Sequence, residues 1–328
     1  MNRRMLLSLV ASAALLPAMP ALAQGDFPNK PIRIVVPYNP GGATDIAARI
    51  VAERMRHTLG QSVIVLNKPG AFGILAIEEM LRAEPDGYTL MAGNPSTNVI
   101  TPIVHASKLK SDYAKEVTLL ARLVELPSFI LATTTDFPPN SVPEWIEYAK
   151  KNPGKVRYAS AGIGSFPHYS MAVYAQQAGI DMLHVPVKGG GSAMLQDVMK
   201  GDVHVTTMNA ATAGPLVGTG KVKVLAASYG SRIPGFPDIP AVSEFGLTRP
   251  GSGFWQALFA PSATPKPVLE KLHKAVLEAL EHPDVIKALD GNKMERIPHK
   301  TLAEGQEWLK KEAEEWREVT KKVPIQFN

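Results

Sequence analysis

The chain has 328 residues, no cysteine, and 35 Lys and Arg against 30 Asp and Glu, a formal charge of +5. The lack of cysteine excludes a disulfide framework, a thiolate nucleophile, a cysteine metal site and an acylated lipoprotein anchor. The basic residues form no long run and do not interleave with aromatics, which argues against nucleic-acid binding; the length accommodates one large domain or two of ordinary size.

In chain order, residues 1–23 read as a cleavable signal peptide. Arg3 and Arg4 make a positive start, an apolar stretch follows, and Ala21-Leu22-Ala23 is a small-x-small cleavage site, so Gln24 is expected to begin the mature chain. Pro17 and Pro20 interrupt the segment and argue against a membrane anchor. The arginine pair leaves Sec and twin-arginine export both open, and the expected location is a bacterial periplasm. No later stretch is long and apolar enough to span a bilayer.

Strand and helix patterns then alternate, which predicts α/β layers with mainly parallel sheets. Residues 32–36 read as a strand and 46–55 as an amphipathic helix, with Ile46, Ala47, Ile50, Val51 and Met55 on one face. Further strands are expected at 63–66, 88–92, 117–124 and 129–134, and a helix at 73–83 ends at the turn Glu84-Pro85-Asp86-Gly87. A second βα series opens at Ser141-Val142-Pro143-Glu144, a capped helix start. Strands at 156–160, 182–185, 203–207 and 222–228 alternate there with helices at 168–178 and 192–199. Residues 230–253 look irregular, 254–260 is apolar again, and two or three helices finish the chain. The last, at 302–322, buries Leu302, Trp308, Leu309, Ala313, Trp316 and Val319.

Between the first strand and helix lies Pro37-Tyr38-Asn39-Pro40-Gly41-Gly42-Ala43-Thr44-Asp45. A strand, a stiffened turn and a helix start put free backbone N–H groups in one place, a ready-made anion site. In that reading the N–H groups of Gly41, Gly42, Ala43 and Thr44 hold a carboxylate, the Thr44 hydroxyl assists and Tyr38 forms a wall. The alternative is an ordinary strand-to-helix turn capped by Thr44 or Asp45. A second glycine turn, Ser160-Ala161-Gly162-Ile163-Gly164-Ser165 with His168 beyond it, offers a second nest and the Ser165 hydroxyl, or again only a turn. A His168 placed in the cleft would donate to the ligand and make affinity fall as it deprotonates. Lys188 precedes a third glycine turn and either sits over an anion or is simply solvated; Met208 and Asn209 end a strand, with Asn209 a ligand contact or a local structural residue. Asn94 and Ser96 complete the candidate ligand-binding set. Nucleotide P-loop, dinucleotide, G-x-S-x-G and HExxH signatures are missing, so no catalytic residue, metal or cofactor is expected.

Taken together these runs resemble the substrate receptors of tripartite tricarboxylate transporters, the Bug family. The resemblance covers nearly all of the mature chain. It rests on residues 31–37 with Gly41-Gly42-x-Thr44-Asp45, Asn67-Lys68-Pro69-Gly70, Pro85-Asp86-Gly87-Tyr88-Thr89-Leu90, and Asn152-Pro153-Gly154-Lys155. It continues through His184-Val185-Pro186 with Lys188-Gly189, Gly220-Lys221, Pro237-Asp238-Ile239-Pro240, and Leu258-Phe259-Ala260-Pro261 with Thr264-Pro265. It implies a type II, two-domain periplasmic-binding-protein fold whose chain crosses twice, with the ligand in the interdomain cleft. The domains would be 25–127 plus 255–328, and 128–254. It also implies a monomer that binds a small di-, tri- or aromatic carboxylate and docks on membrane transporter subunits. The chain departs from the family pattern at Tyr38 (usually Phe), Asn39 (often Pro), Pro167 (often polar) and Met208 (often Asp). These departures favour a carboxylate with an apolar or aromatic body. Two other readings remain: a receptor for a neutral aromatic amide, and an exported hydrolase using Ser165 and His168, which lacks an elbow and a third triad member.

Overall fold

The structure is a computed structural model that describes residues 27–188 and 190–326. The expected signal peptide, its cleavage position and Gly189 lie outside the described residues. Strand β1 (Ile32–Val36) buries Ile32, Ile34 and Val36 on one face and Val35 on the other. Helix α1 (Ala43–Leu59) covers the first face with Ala47, Ala48, Val51 and Met55. Strand β2 (Val63–Asn67) follows, then α2 (Ile74–Arg82), which covers the second face with Ile77 and Met80, then β3 (Thr89–Gly93). A π-helical turn at Ser96–Ile100 leads through the single-turn helices α3 (Thr101–Val104) and α4 (Tyr113–Glu116) to β4 (Val117–Leu126).

The chain crosses at Pro127 into β5 (Ser128–Ala132), α5 (Val142–Lys151) and β6 (Val156–Ser160). Ser141 caps α5, accepting from Glu144 N at 3.3 Å, while the Glu144 carboxylate accepts from Asn140 N rather than from Ser141 N. Next come α6 (Phe166–Ala178), β7 (Met182–Pro186), α7 (Gly191–Lys200), β8 (Val205–Asn209), α8 (Ala210–Ala213) and β9 (Lys223–Ala227). β8 starts two residues later than its apolar pattern suggests, because Asp202 and Val203 still bond back to Asp197 O at the end of α7. The return runs through an irregular segment to β10 (Phe254–Pro261). The chain then ends with α9 (Lys266–Leu280), α10 (Pro283–Gly291), the two-residue strand β11 (Glu295–Arg296) and α11 (Leu302–Lys322).

Two sheets result, one ordered β11-β4-β10-β3-β1-β2 and the other β7-β6-β8-β5-β9. Each is mixed, with β1, β2, β3 and β4 running one way in the first and β6, β7, β8 and β9 one way in the second. β1 pairs parallel with β2 and β3, but β10 is antiparallel to β3 and β4; β6 pairs parallel with β7 and β8, but β5 is antiparallel to β8 and β9. The reversed strands are β10 and the short β11 in the first sheet and β5 in the second; β5 and β10 are the strands into which the two passages lead, where the chain has no crossover helix to return it in the same direction. Among the described residues no helix is long and apolar enough to cross a membrane.

The passages are locked together by buried charge. Arg249 Nη1 donates to Glu125 Oε1 at 2.6 Å, and Arg249 Nη2 to Ser252 O at 2.8 Å. The guanidinium lies 4.9 Å from the centre of the Tyr229 ring, whose hydroxyl donates to Glu295 Oε2 at 2.8 Å. Gly253 threads this cluster at φ 112°, where other residues are strained, and a Cβ there would lie 2.2 Å from Glu125 Oε1 and push the Glu125–Arg249 pair apart. Glu312, 2% exposed, accepts from Trp255 Nε1, Trp316 Nε1 and Ser252 N, each at 3.0 Å. Removing its carboxylate would strand three buried donors, each costing about 1–3 kcal/mol. Glu312→Leu is therefore expected to lower the unfolding free energy by about 3 kcal/mol, measured by urea denaturation. A loss well under 1 kcal/mol would show that another group replaces the carboxylate.

Candidate ligand-binding cleft

A cleft of about 730 Å³ opens between the two sheets. Of the candidate residues, Tyr38, Asn39, Gly41, Gly42, Ala43, Thr44, Asn94, Ser96, Gly162, Gly164, Ser165, Met208 and Asn209 line it. Ser160 and His168 do not. Among the described lining residues there is no Asp or Glu, and Lys188 is the single charged side chain.

Three helices begin at this cavity: α1 after Gly42, α6 after Ser165 and α7 after Gly190, none capped by its own N-cap side chain, although Ser96 Oγ accepts from the first α6 amide. First-turn N–H groups have no intrahelical acceptor, and the helix dipole adds positive potential at that end. In the first lobe neither Thr44 nor Asp45 caps α1. The Thr44 hydroxyl donates to Gln256 Oε1 at 2.6 Å and accepts from Asn94 Nδ2 at 3.1 Å. Asp45, 2% exposed, accepts from Gly41 N at 2.9 Å and from Asn67 Nδ2 at 2.8 Å, and pairs with Arg49. Burial raises its carboxyl pKa, but Arg49, the Gly41 amide and Asn67 outweigh it and hold the group below the usual range. The Gly41 N–H is thus spent inside the loop, which leaves the amides of Gly42, Ala43 and Thr44 for a ligand.

Tyr38 keeps its ring at the cavity, but its hydroxyl is committed to Asn94 Oδ1 at 2.9 Å. Burial pushes the phenol up to about 12, so it stays protonated. Asn94 Oδ1 also accepts from Ser96 N at 3.0 Å, and Ser96 Oγ accepts from Phe166 N at 3.0 Å across the cleft. Asn94 is therefore a brace for Tyr38, Thr44 and Ser96, with one Nδ2 hydrogen beyond the bond to Thr44.

The second glycine turn differs from its sequence reading. Gly162 N is taken by Ser160 Oγ, Gly164 N by His168 Nδ1, Ser165 N by Gly162 O and Phe166 N by Ser96. The nest largely satisfies itself. What faces the cavity from this lobe is side-chain chemistry: the unpartnered Ser165 and Thr207 hydroxyls, Lys188, and Asn209, whose Oδ1 is used by Thr212 and whose Nδ2 hydrogens remain. Thr207 is 3% exposed and carries no sequence signal beyond its place at the end of a strand. The Pro69–Gly73 loop also lines the cavity and was missed by sequence reasoning, because Pro-Gly-Ala-Phe-Gly reads as an unremarkable turn.

His168 corrects the expected donor role. It is 5% exposed behind the loop, and its ring stacks on His184 at 3.6 Å and 12°. His184 Nε2 lies 2.7 Å from Ser160 Oγ, itself fully buried. Accepting from Gly164 N requires His168 Nδ1 to be unprotonated. Burial lowers the pKa of His168 to about 3, with the charge of His184 adding to the effect, and burial lowers that of His184 to about 4. The pair braces the loop and offers the ligand nothing.

The two-lobed α/β fold and its cleft define a periplasmic solute-binding protein. The model of the TctC family, described as the tripartite tricarboxylate transporter family receptor, matches residues 47–324, and the chain belongs to that family. Solved structures similar to it include BugD, a periplasmic binding protein with 31% identity and a TM-score of 0.78, the match covering 92% of this chain and 99% of that one. MatC of Rhodopseudomonas palustris, with bound malate, is 31% identical with a TM-score of 0.79, over 89% of this chain and 99% of that one. Rpa4515 of R. palustris, with adipate, is 28% identical with a TM-score of 0.82, over 91% and 99%. The family and these neighbours are solute receptors, not enzymes.

The histidine pair generates a prediction about stability. In the unfolded chain each ring titrates near 6.5, but in the fold only near 3 and 4. Stability is thus complete above about pH 6.5 and falls with pH, by up to about 1.4 kcal/mol per pH unit for each ring. Urea midpoints between pH 6.5 and 5, above most carboxylate titrations, should decline in the parent and decline less in His168→Gln. Equal slopes would refute the assignment.

Proposed function

We propose that this receptor binds a small organic carboxylate in the periplasm and presents it to the membrane subunits of a tripartite transporter. The observation that carries the reading is the convergence of the uncapped starts of α1 and α7, the unpartnered Ser165 and Thr207 hydroxyls and Lys188 on a cleft with no acidic side chain among its described lining residues. The malate and adipate of the structural neighbours are consistent with this ligand class. The first lobe would grip one carboxylate through the amides of Gly42, Ala43 and Thr44, and the second through Ser165, Thr207 and Asn209.

Charge-assisted hydrogen bonds contribute about 1.5–3 kcal/mol each. A handful, less the cost of ordering, reaches the roughly 8 kcal/mol of micromolar affinity. We take 25–127 with 255–328 and 128–254 as the two units that close on the solute, and residues 1–23 as the export signal removed after Ala23. The protein acts as a monomer in this reading.

Gly42 has φ −79°, and a Cβ on it would meet only Asn39 O, at an ordinary 3.8 Å. Gly42→Val should therefore fold with an unchanged thermal midpoint yet lose adipate binding by calorimetry, because the side chain displaces the anion from the helix start. Unchanged affinity would remove this loop from the site. Binding of adipamide but not adipate by the parent would overturn the carboxylate reading itself.

A further inference from the structure

The loop between β2 and α2 holds four successive residues at positive φ: Gly70 at 125°, Ala71 at 46°, Phe72 at 58° and Gly73 at 86°. Glycine tolerates this; a phenylalanine in the left-handed region is a genuine outlier. Such strain persists only where surrounding contacts enforce it, and it concentrates at ligand sites. The contacts here are specific. Thr101 Oγ1 donates to Phe72 O at 2.9 Å, and the Phe72 ring lies against His105 with 4.5 Å between centroids. Lys108 Nζ stands 5.5 Å from the centre of the same ring. Despite these contacts Phe72 is 45% exposed, and it lines the cleft. Packing alone does not explain a large apolar ring held in a strained turn and left open to a binding cavity.

The lining also carries an apolar share that includes Ile163, Pro167, Met194, Met208 and Phe254. Lys188 is the one cation there, and the body of the solute meets hydrocarbon, sulfur and the rings of Tyr38, Phe166, Phe254 and Phe72, of which Phe72 alone is 45% exposed and held in a left-handed turn. We propose that Phe72 is the specificity-determining residue of this cleft, selecting carboxylates with a flat aromatic body by stacking on it. The assignment rests on the carboxylate reading above. Offset or edge-to-face ring pairs add favourable energy beyond the area they bury, which a saturated body of the same size does not gain.

Benzoate and cyclohexanecarboxylate share a carboxylate and a six-membered ring but differ in planarity and π character. Calorimetry on the parent should show benzoate bound more tightly than cyclohexanecarboxylate and adipate. Phe72→Asn keeps a residue that tolerates the left-handed turn, Phe72→Leu keeps apolar volume, and Phe72→Tyr keeps the ring. The Asn and Leu variants should lose about five- to tenfold in benzoate affinity with cyclohexanecarboxylate nearly unchanged, and the Tyr variant should match the parent. A parent that binds cyclohexanecarboxylate or adipate as tightly as benzoate overturns the aromatic selection and leaves the carboxylate reading standing. So does an equal loss for all three acids in the Asn and Leu variants. A parent that binds none of the three acids but binds benzamide overturns both.

Discussion

The governing constraint is that two helices, α1 and α7, begin at one cavity with their first-turn amides left uncapped. The chain has the usual capping chemistry at hand and uses it elsewhere. Thr44 turns its hydroxyl to Gln256, Asp45 is held by Arg49, Asn67 and the Gly41 amide, and Ser165 leaves its hydroxyl unpartnered at the cavity. A carboxylate side chain at the cap positions themselves, Gly42 or Gly190, would satisfy these helix starts internally. Keeping acids away from the lining is thus as much a part of the site as the glycines are.

Helix α6 belongs mechanically to both halves. Its start faces the cleft, yet Phe166 and Tyr169 pack within the core beneath α11, with ring centroids 5.8 and 5.9 Å from Trp316. Trp316 shares the Glu312 carboxylate with Trp255 and the Ser252 amide, beside the Arg249–Glu125 pair that ties the two chain passages. Helix α6 therefore links the cleft wall to the residues that tie the two chain passages.

Much of this was legible in the sequence, for local reasons. Period-2 and period-3.6 patterns placed the principal elements, and a strand, a double glycine and an amphipathic run placed the first loop. What was not legible depends on partners distant in sequence. His168 reads as a first-turn residue near a cleft; only the fold brings His184, on another strand, under its ring. The second nest reads as open because its internal acceptors, Ser160 Oγ and His168 Nδ1, cannot be told from ligand contacts by spacing. Phe72 reads as part of a turn because its backbone conformation is imposed by Thr101 and His105, some thirty residues on. Strand direction in the mixed sheets is set by the two passages between lobes, which leave no mark on hydrophobic alternation, and β11 is too short to show any.

The acid-free lining has a consequence for how a solute enters. If the solute is a carboxylate, as proposed, a cleft with Lys188, the α1 and α7 starts and no acid among its described lining residues also attracts small mobile anions from the medium. Loading is then an exchange of one anion for another, and the gain is the difference between two solvated states. Affinity so obtained falls as the concentration of competing anions rises, which ties uptake to the ionic composition of the medium as well as to the abundance of the solute.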